Sequence, residues 1–284
     1  MSNDLHKLTI DSITTDKLER LEKLTQAIRN EDVGFSRMKE VLISKLFEIV
    51  QSETSSVEPG HYIFIGNPGT GKTTCAKFAA KYFYEMGLIL ESKPIMISAT
   101  SLIGSYVGQT EQIVHDQLMN ARGKLLCIDE VDLLVTFSEK DYFRVSAISE
   151  IFSTLFDSDF KKNTSVVFSV YPDSLSKFDE FNPGFRRHLT EIEFPDLTLD
   201  ESYGILVSKL SSKGFKLNSQ TERRCRQAIS AMMQSKQFYN GRTIDRFADE
   251  LIANQRKRCV RENFKLDDMR VKEIQPEDIS VIAE

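Results

Sequence analysis

The stretch Gly66-Asn-Pro-Gly-Thr-Gly-Lys-Thr73 decides the predicted fold, because it satisfies the pattern G-x-x-x-x-G-K-[ST]. An apolar, strand-like run at residues 62–65 precedes it, and a helical pattern follows from Lys72. Glycines let such a loop wind tightly, so that successive backbone N–H groups converge on phosphate oxygens at the start of the next helix. Because the match lies between a strand and a helix, we interpret residues 66–73 as a phosphate-binding loop rather than an ordinary glycine-rich turn.

Two side chains at the end of this loop carry the chemistry expected of a nucleotide site. Lys72 would place a positive charge against the β- and γ-phosphates during catalysis, and the Thr73 hydroxyl would join the coordination shell of Mg²⁺. The sequence therefore predicts that ATP and Mg²⁺ bind here. The candidate nucleotide contacts in and after the loop are Gly66, Asn67, Pro68, Gly69, Thr70, Gly71, Lys72, Thr73 and Thr74.

A second candidate motif is the run Leu125-Leu-Cys-Ile-Asp-Glu130, four apolar residues followed by two carboxylates. At the carboxyl end of a parallel strand, Asp129 would hold Mg²⁺ through water, and Glu130 would orient and deprotonate the attacking water. Many strands end in charged turns, so this run alone is a weak signal. Together with the phosphate loop it predicts an ATP hydrolase.

Strand-like and helix-like segments alternate from residue 62 to residue 194, which predicts a mostly parallel sheet covered by helices on both faces, an α/β fold. Expected strands are 62–65, 95–98, 125–128, 165–170 and 191–194, and expected helices are 72–86, 111–121 and 146–156. Ser36 is the expected N-cap of an earlier amphipathic helix. After Pro195 the pattern becomes mainly helical, with Asp200 and Asn218 as expected helix caps. We therefore expect a tail and helix at 1–30, a nucleotide-binding domain at 31–197 and a small helical lid at 198–284.

Composition narrows the function classes. The net charge of −5 argues against a duplex-DNA binder, which usually carries a basic excess. No apolar run approaches the ~18–20 residues that span a bilayer, and the polar start lacks a signal-peptide core, so we expect a cytoplasmic protein. The four cysteines are scattered and the four histidines lack metal-ligand spacing, so reduced thiols and no metal site of that kind are expected.

With both motifs in place, the chain resembles the AAA+ family from about Asn30 to its C-terminus. Its Glu31-Asp-Val-Gly34 is similar to the family segment that lines the adenine pocket, which makes Val33 a candidate contact, although an ordinary loop valine is the alternative. Its Gly104-Ser-Tyr-Val-Gly-Gln109 resembles the pore loop of polypeptide-threading members. That resemblance implies that Tyr106, Val107 and Gly108 would grip a protein chain.

Two further segments carry the resemblance, and one position departs from it. Asn182-Pro-Gly-Phe-Arg-Arg187 is similar to the segment that supplies an arginine finger to the neighbouring subunit, with Arg186 and Arg187 both open as candidates. Asn240-Gly-Arg242 resembles the sensor-2 motif, which would bring Arg242 over the nucleotide. Tyr171 occupies the place where the family usually has a polar sensor-1 residue such as Asn.

Within the family, the chain resembles the subgroup of red-type rubisco activases and ATPases similar to stage V sporulation protein K. The shared segments are 66–74, 106–110, 171–173, 182–184 and 193–196. The resemblance implies a homo-oligomer, a hexamer, that uses ATP to remodel or thread a protein substrate, with recognition on the ring, in the pore or by an adaptor. Two alternatives stay open: a nucleotide-switched assembly ATPase without threading, and a nucleic-acid-associated loader.

Overall fold

The computed structural model describes residues 15–31, 35–52, 57–106, 108–135, 141–177, 184, 186–265 and 269–279. Contacts divide them into two compact units. The first contains the described residues up to Gly66 together with Lys72–Phe194. The second contains Asn67–Gly71 and the described residues from Pro195 onward. Residues 67–71 of the phosphate loop therefore group with the second unit, whereas Gly66 and Lys72, to which they are bonded, belong to the first.

The first unit is built on a five-stranded, fully parallel sheet with the strand order β2-β3-β4-β1-β5. This architecture confirms the predicted parallel sheet. The strands are β1 Tyr62–Gly66, β2 Ile95–Ser98, β3 Leu125–Asp129, β4 Ser165–Val170 and β5 Thr190–Phe194.

Helices cover both faces of this sheet. Successive side chains of a strand point to opposite faces, so Ile63 and Ile65 of β1 join one apolar core and Tyr62 and Phe64 join the other. The first core includes α4 and α6, and the second includes α1, α2 and α3. The helices are α1 Thr15–Asn30, α2 Ser36–Gln51, α3 Lys72–Glu85, α4 Gln109–Asn120, α5 Asp132–Val135 and α6 Tyr142–Leu155.

The second unit packs three helices around one apolar core. The helices are α7 Leu199–Ser212, α8 Ser219–Met233 and α9 Gly241–Arg261. A two-stranded parallel sheet, β6 Lys216–Leu217 and β7 Glu273–Ile274, completes the unit and was not predicted. The Arg258 guanidinium, on the inner side of α9, donates to Asp278 Oδ1 at 2.8 Å and to Oδ2 at 3.1 Å.

Two predicted helix caps were wrong. Ser36 is the first residue of α2, and Phe35 stands at the N-cap position without a side-chain hydrogen bond. Thr198, not Asp200, caps α7: its hydroxyl accepts from the Glu201 N–H while the Glu201 side chain accepts from the Thr198 N–H. This reciprocal capping box satisfies two backbone donors at once, which a lone Asp200 cap would not do. The Asn218 cap of α8 is confirmed, since its side chain accepts from the Thr221 N–H.

The helices that follow β2 and β3 also begin earlier than predicted. α4 starts at Gln109, and α6 starts at Tyr142 with Asp141 as its N-cap. No helix in the described part of the chain is long and apolar enough to cross a membrane.

The four cysteines are free thiols in different surroundings. Burial raises the pKa of Cys127 and of Cys225 to about 12, and it raises the pKa of Cys75 as well. Cys259, on α9, is only half-buried.

A buried histidine joins β1 to β4 at their amino ends. His61 Nδ1 accepts the Val166 N–H at 3.1 Å, and the imidazole ring stacks on Phe160 with centroids 6.4 Å apart. Because burial penalises the charged ring, the pKa of His61 falls from 6.5 to about 4. The unfolded chain therefore binds a proton at a higher pH than the folded chain does.

We expect this difference to make stability depend on pH. The contribution of His61 is complete above pH 6.5 and is lost as the pH falls towards 4, a change of about 3 kcal/mol in the free energy of unfolding. The measurement is urea denaturation of wild type and of His61→Asn, whose amide oxygen replaces the acceptor without titrating. The two proteins share their carboxyl titrations, so these cancel when the free energies of unfolding are subtracted. If this free energy changes with pH in the same way for both proteins, the prediction is wrong.

Candidate active site

Three neighbouring strands bring the predicted catalytic segments to one edge of the first unit. In a parallel sheet the carboxyl ends of all strands lie on the same side, and β4 pairs with β1 on one side and β3 on the other. Gly66 ends β1 and Asp129 ends β3, and Tyr171 follows β4 between them. Gly66, Tyr171 and Asp129 therefore share one edge of this sheet.

Lys72 is held at this edge by two contacts. Its buried Nζ donates to the Gly66 carbonyl at 2.5 Å and lies 5.3 Å from the centroid of the Tyr171 ring. An ammonium over an aromatic face is attracted by the ring quadrupole. Tyr171, at the predicted sensor-1 place, thus lies beside the loop lysine. Thr73 and Thr74 follow in the first turn of α3 with exposed side chains.

The acidic pair sits on a strained turn. Glu130 has φ of 57°, a left-handed conformation, and its N–H donates to Asp129 Oδ1 at 3.0 Å. The next N–H, of Val131, donates to the Ser169 carbonyl of β4 at 3.1 Å. The turn that aims both carboxylates is therefore anchored to the strand beside it.

Sequence reasoning missed a third carboxylate next to this pair. Asp132 is buried at the start of α5. Burial raises the pKa of its carboxyl above the usual range, and the charges of Glu130 and Asp129 act in the same direction. The available signal was a third acidic residue within four positions of the strand end.

In the second unit, the loop residues 67–71 have the tight backbone that the motif predicts. Gly69 has φ of 81° and Gly71 has φ of 100°, conformations that glycine adopts without strain. The Thr70 hydroxyl donates to the Asn67 carbonyl at 2.9 Å inside the loop. The loop therefore has the tightly wound form of an anion cradle.

Two further residues contact this loop and were not predicted. Asn240 Nδ2 donates to the Pro68 carbonyl at 3.3 Å, and Asn67 Nδ2 donates to Asp196 Oδ1 at 2.9 Å. Arg242, the predicted sensor-2 residue, is exposed at the second position of α9.

The two candidate finger arginines differ in their surroundings. Arg186 is half-buried, and its Nε and Nη2 lie 2.8 Å and 2.6 Å from Glu191 Oε1. Arg187 is exposed and forms no ion pair with the described part of the chain. His188 meets Phe156 edge-on, with ring centroids 4.6 Å apart. Of the two guanidiniums, that of Arg187 belongs to the more exposed residue.

The predicted pore segment presents an exposed ring next to a hydrogen-bonded main chain. The Tyr106 side chain is 75% exposed. Gln109 Oε1 accepts the N–H groups of Ser105 at 2.7 Å and Tyr106 at 3.3 Å. Gly108, the N-cap of α4, has φ of 80°. Two predicted contacts, Val33 and Val107, lie outside the described residues, as do Asn182, Pro183 and Phe185 of the finger segment.

The loop lysine and an acidic pair at one edge of a parallel sheet, in a chain that also carries the G-x-x-x-x-G-K-[ST] motif and a mainly helical second unit, define a P-loop nucleotide hydrolase with a small helical domain. Comparison with known families agrees. The model of the ATPase family associated with various cellular activities (AAA) matches residues 62–196, and that of the AAA lid domain matches residues 198–284. The chain belongs to this family of ATP hydrolases.

Several curated proteins are similar over most of the chain. The chloroplastic ribulose bisphosphate carboxylase/oxygenase activase of Cyanidioschyzon merolae is 28% identical over 288 aligned positions, 98% of each protein. Stage V sporulation protein K of Bacillus subtilis is 26% identical over 281 positions, 94% of this chain and 84% of that protein. Protein CbbX of Cereibacter sphaeroides is 30% identical over 200 positions, 70% of this chain and 64% of that protein. These relatives match the resemblance inferred from the motifs.

Among solved structures, the FIGL-1 AAA domain in complex with ADP superimposes with a TM-score of 0.55. The two sequences are 19% identical, and the superposition covers 90% of this chain and 87% of the FIGL-1 chain. At this identity the likeness supports the fold alone.

Proposed function

We propose that this ATPase uses hydrolysis to remodel a protein substrate, gripping it with Tyr106. The observation that carries the proposal is the exposure of this ring next to main-chain N–H groups that are hydrogen-bonded to Gln109. A large aromatic side chain facing solvent on a hydrogen-bonded loop is ready to make apolar contacts with a partner. The names of the activase relatives support a protein client, since a ribulose bisphosphate carboxylase/oxygenase activase acts on another enzyme.

The donor set at the sheet edge fits ATP with Mg²⁺. The Lys72 ammonium and the glycine loop suit phosphate oxygens, while the Thr73 hydroxyl and the Asp129 carboxylate are the oxygen ligands that Mg²⁺ prefers. Mg²⁺ held there would neutralise charge on the β- and γ-phosphates. The proposed contacts are those of segment 66–74, with Arg242 reaching the nucleotide from the start of α9.

In this mechanism Glu130 acts as the general base. Its carboxylate orients a water molecule in line with the γ-phosphate and accepts the water proton as the bond from water oxygen to the γ-phosphorus forms. The bond from that phosphorus to the β,γ-bridging oxygen breaks at the same time, and ADP leaves with the bond electrons. Lys72 stabilises the charge that develops on the phosphoryl oxygens. Tyr171 positions the Lys72 ammonium through its ring face.

We assign the finger to Arg187, acting in trans on the nucleotide of the next subunit in a homo-oligomeric ring, which we take to be a hexamer. Arg186 is already engaged by Glu191 within its own chain, and withdrawing it would leave that carboxylate without this partner. Arg187 is exposed and has no ion pair to give up among the described residues.

The first prediction separates hydrolysis from binding. We expect Glu130→Gln to lower ATP turnover by about 10²–10⁴-fold, the usual effect of losing a general base, while ATP still binds. Gln meets the same backbone constraint at position 130, so the change isolates the carboxylate. Steady-state phosphate release and binding of labelled ATP are the measurements.

The matched control is Glu91→Gln, which alters an exposed carboxylate paired with Lys124 and should leave both measurements unchanged. Wild-type turnover in Glu130→Gln would remove Glu130 from the mechanism.

A second prediction concerns the finger. Arg187→Ala should lower turnover by about 10³-fold, whereas Arg186→Ala should mainly remove a half-exposed ion pair worth about 0–1 kcal/mol of stability. Mixing Arg187→Ala with Glu130→Gln subunits should restore activity, because intact Arg187 then completes intact sites on neighbouring subunits. No recovery on mixing, or loss of activity only in Arg186→Ala, would overturn the assignment.

The third prediction tests threading. Tyr106→Ala should keep basal turnover within about twofold but lose any stimulation of turnover by casein, a permanently unfolded polypeptide, and Tyr106→Phe should retain it because the apolar ring face remains. Tyr84→Ala, which truncates another exposed tyrosine at the end of α3 (48% exposed), is the control. Equal stimulation of wild type and Tyr106→Ala would favour the nucleotide-switch alternative.

A further inference from the structure

The outward-facing carbonyls of the phosphate loop need partners, and the start of α9 supplies them. When the N–H groups of a loop converge on an anion, its carbonyls point away from it and must be hydrogen-bonded elsewhere. Here the Pro68 carbonyl accepts from Asn240 Nδ2 at 3.3 Å, and the Gly69 carbonyl accepts from the Gly241 N–H at 3.0 Å. The Gly241 N–H is one of the donors that a helix start leaves without an intrahelical partner. The loop carbonyls and the donors at the start of α9 therefore serve as hydrogen-bond partners for each other.

Asn240 is a buried residue whose side chain links the phosphate loop to residues 196 and 197. It is 1% exposed. Its Nδ2 also donates to Asp196 Oδ1 at 2.8 Å, and its Oδ1 accepts the Leu197 N–H at 2.8 Å. Every polar atom of this buried amide is therefore bonded. Its backbone has φ of 47° and ψ of −129°, a region disfavoured for residues other than glycine. The surrounding hydrogen bonds hold it there.

Asp196 closes the network on the other side. Its carboxylate receives Nδ2 of Asn240 and Nδ2 of Asn67, the latter at 2.9 Å to Oδ1 and 3.1 Å to Oδ2. Hydrogen bonds to an ionised acceptor are roughly twice as strong as neutral ones. One carboxylate therefore joins the first residue of the loop to the residue that precedes α9.

Close backbone approach makes this contact specific. A Cβ on Gly69 would lie 2.2 Å from the Tyr239 carbonyl oxygen, and one on Gly241 would lie 2.9 Å from the Gly69 carbonyl oxygen. Both distances are too short for a real Cβ, so a side chain at position 69 or 241 would force the backbones apart.

We propose that Asn240 and Asp196 are positioning residues for nucleotide binding: they hold residues 67–69 in the shape that turns the loop N–H groups towards the phosphates. This inference rests on the proposed nucleotide site. The loop shape is needed equally in the bound ground state and in the transition state. Loss of the network therefore raises the Kd and KM for ATP and leaves kcat nearly unchanged.

The test compares Asn240→Gly with wild type in the full chain. Glycine accepts the positive φ and keeps the Gly241 N–H, so the variant removes the side-chain bonds alone. We expect the Kd for a fluorescent ATP analogue and the KM for ATP to rise about tenfold, the effect of losing a charge-assisted hydrogen-bond network. We expect kcat to stay within about twofold. Asp196→Ala truncates an exposed side chain and leaves the apolar core intact. It should also raise the Kd and the KM for ATP while kcat stays nearly unchanged.

The matched control is Asn218→Gly, which removes another hydrogen-bonded asparagine side chain from the second unit, the exposed cap of α8. It should lower the melting temperature without changing the Kd. If Asn240→Gly and Asp196→Ala bind nucleotide as wild type does, or if Asn218→Gly weakens binding equally, the positioning role is wrong. If wild type itself fails to bind, the nucleotide site fails together with the inference.

Discussion

The pairing of β4 with both β1 and β3 is the constraint on which the active site depends. Hydrogen bonding in a parallel sheet sets neighbouring carboxyl ends side by side, so the register of Tyr62 with Val167 and of Cys127 with Val167 determines where Gly66 and Asp129 stand. The intervening strand ends at Val170, and Tyr171 follows directly. A lysine on one side, an acidic pair on the other and an aromatic ring in the middle are therefore consequences of strand order.

The sheet and its motifs could be read from the sequence because their signals are local. β2 and β4 were predicted to the residue, since each is a short apolar run between turn residues. The Thr198 cap had a local signal too, because Glu201 follows it by three positions, but Asp200 competed as a cap-forming residue nearby. The strands β6 and β7 contain two residues each, too few for any periodicity to show.

The contacts of the phosphate loop could not be read in the same way. Asn67 meets Asp196 across 129 positions of sequence, and Asn240 meets Pro68 across 172. Such pairs depend on which distant segments folding brings together. Asn67 and Asn240 each belong to a motif noted in the sequence, but neither motif predicts which distant residue its asparagine contacts. The strained backbone of Asn240 likewise follows from tertiary contacts, because local propensity disfavours it.

The Tyr106 ring can be exposed while its main chain is hydrogen-bonded, because the ring and the main chain use different atoms. Gln109 bonds the main chain of Ser105 and Tyr106, and the aromatic side chain takes no part in that bonding. A Cβ on Gly104 would lie 2.9 Å from both Gln109 Cβ and the Thr110 nitrogen, so the turn closes tightly against α4. The Tyr106 ring can therefore contact a partner without breaking the hydrogen bonds from Ser105 and Tyr106 to Gln109.

The contrast among the four thiols has a practical use. Thiolates are the species that react with maleimide dyes, and deep burial with a raised pKa suppresses them at Cys75, Cys127 and Cys225. Cys259, half-buried on α9, is then the preferred point of attachment in the unaltered chain. A single fluorophore there would report on the helix that begins beside the nucleotide loop, without any cysteine having to be introduced or removed.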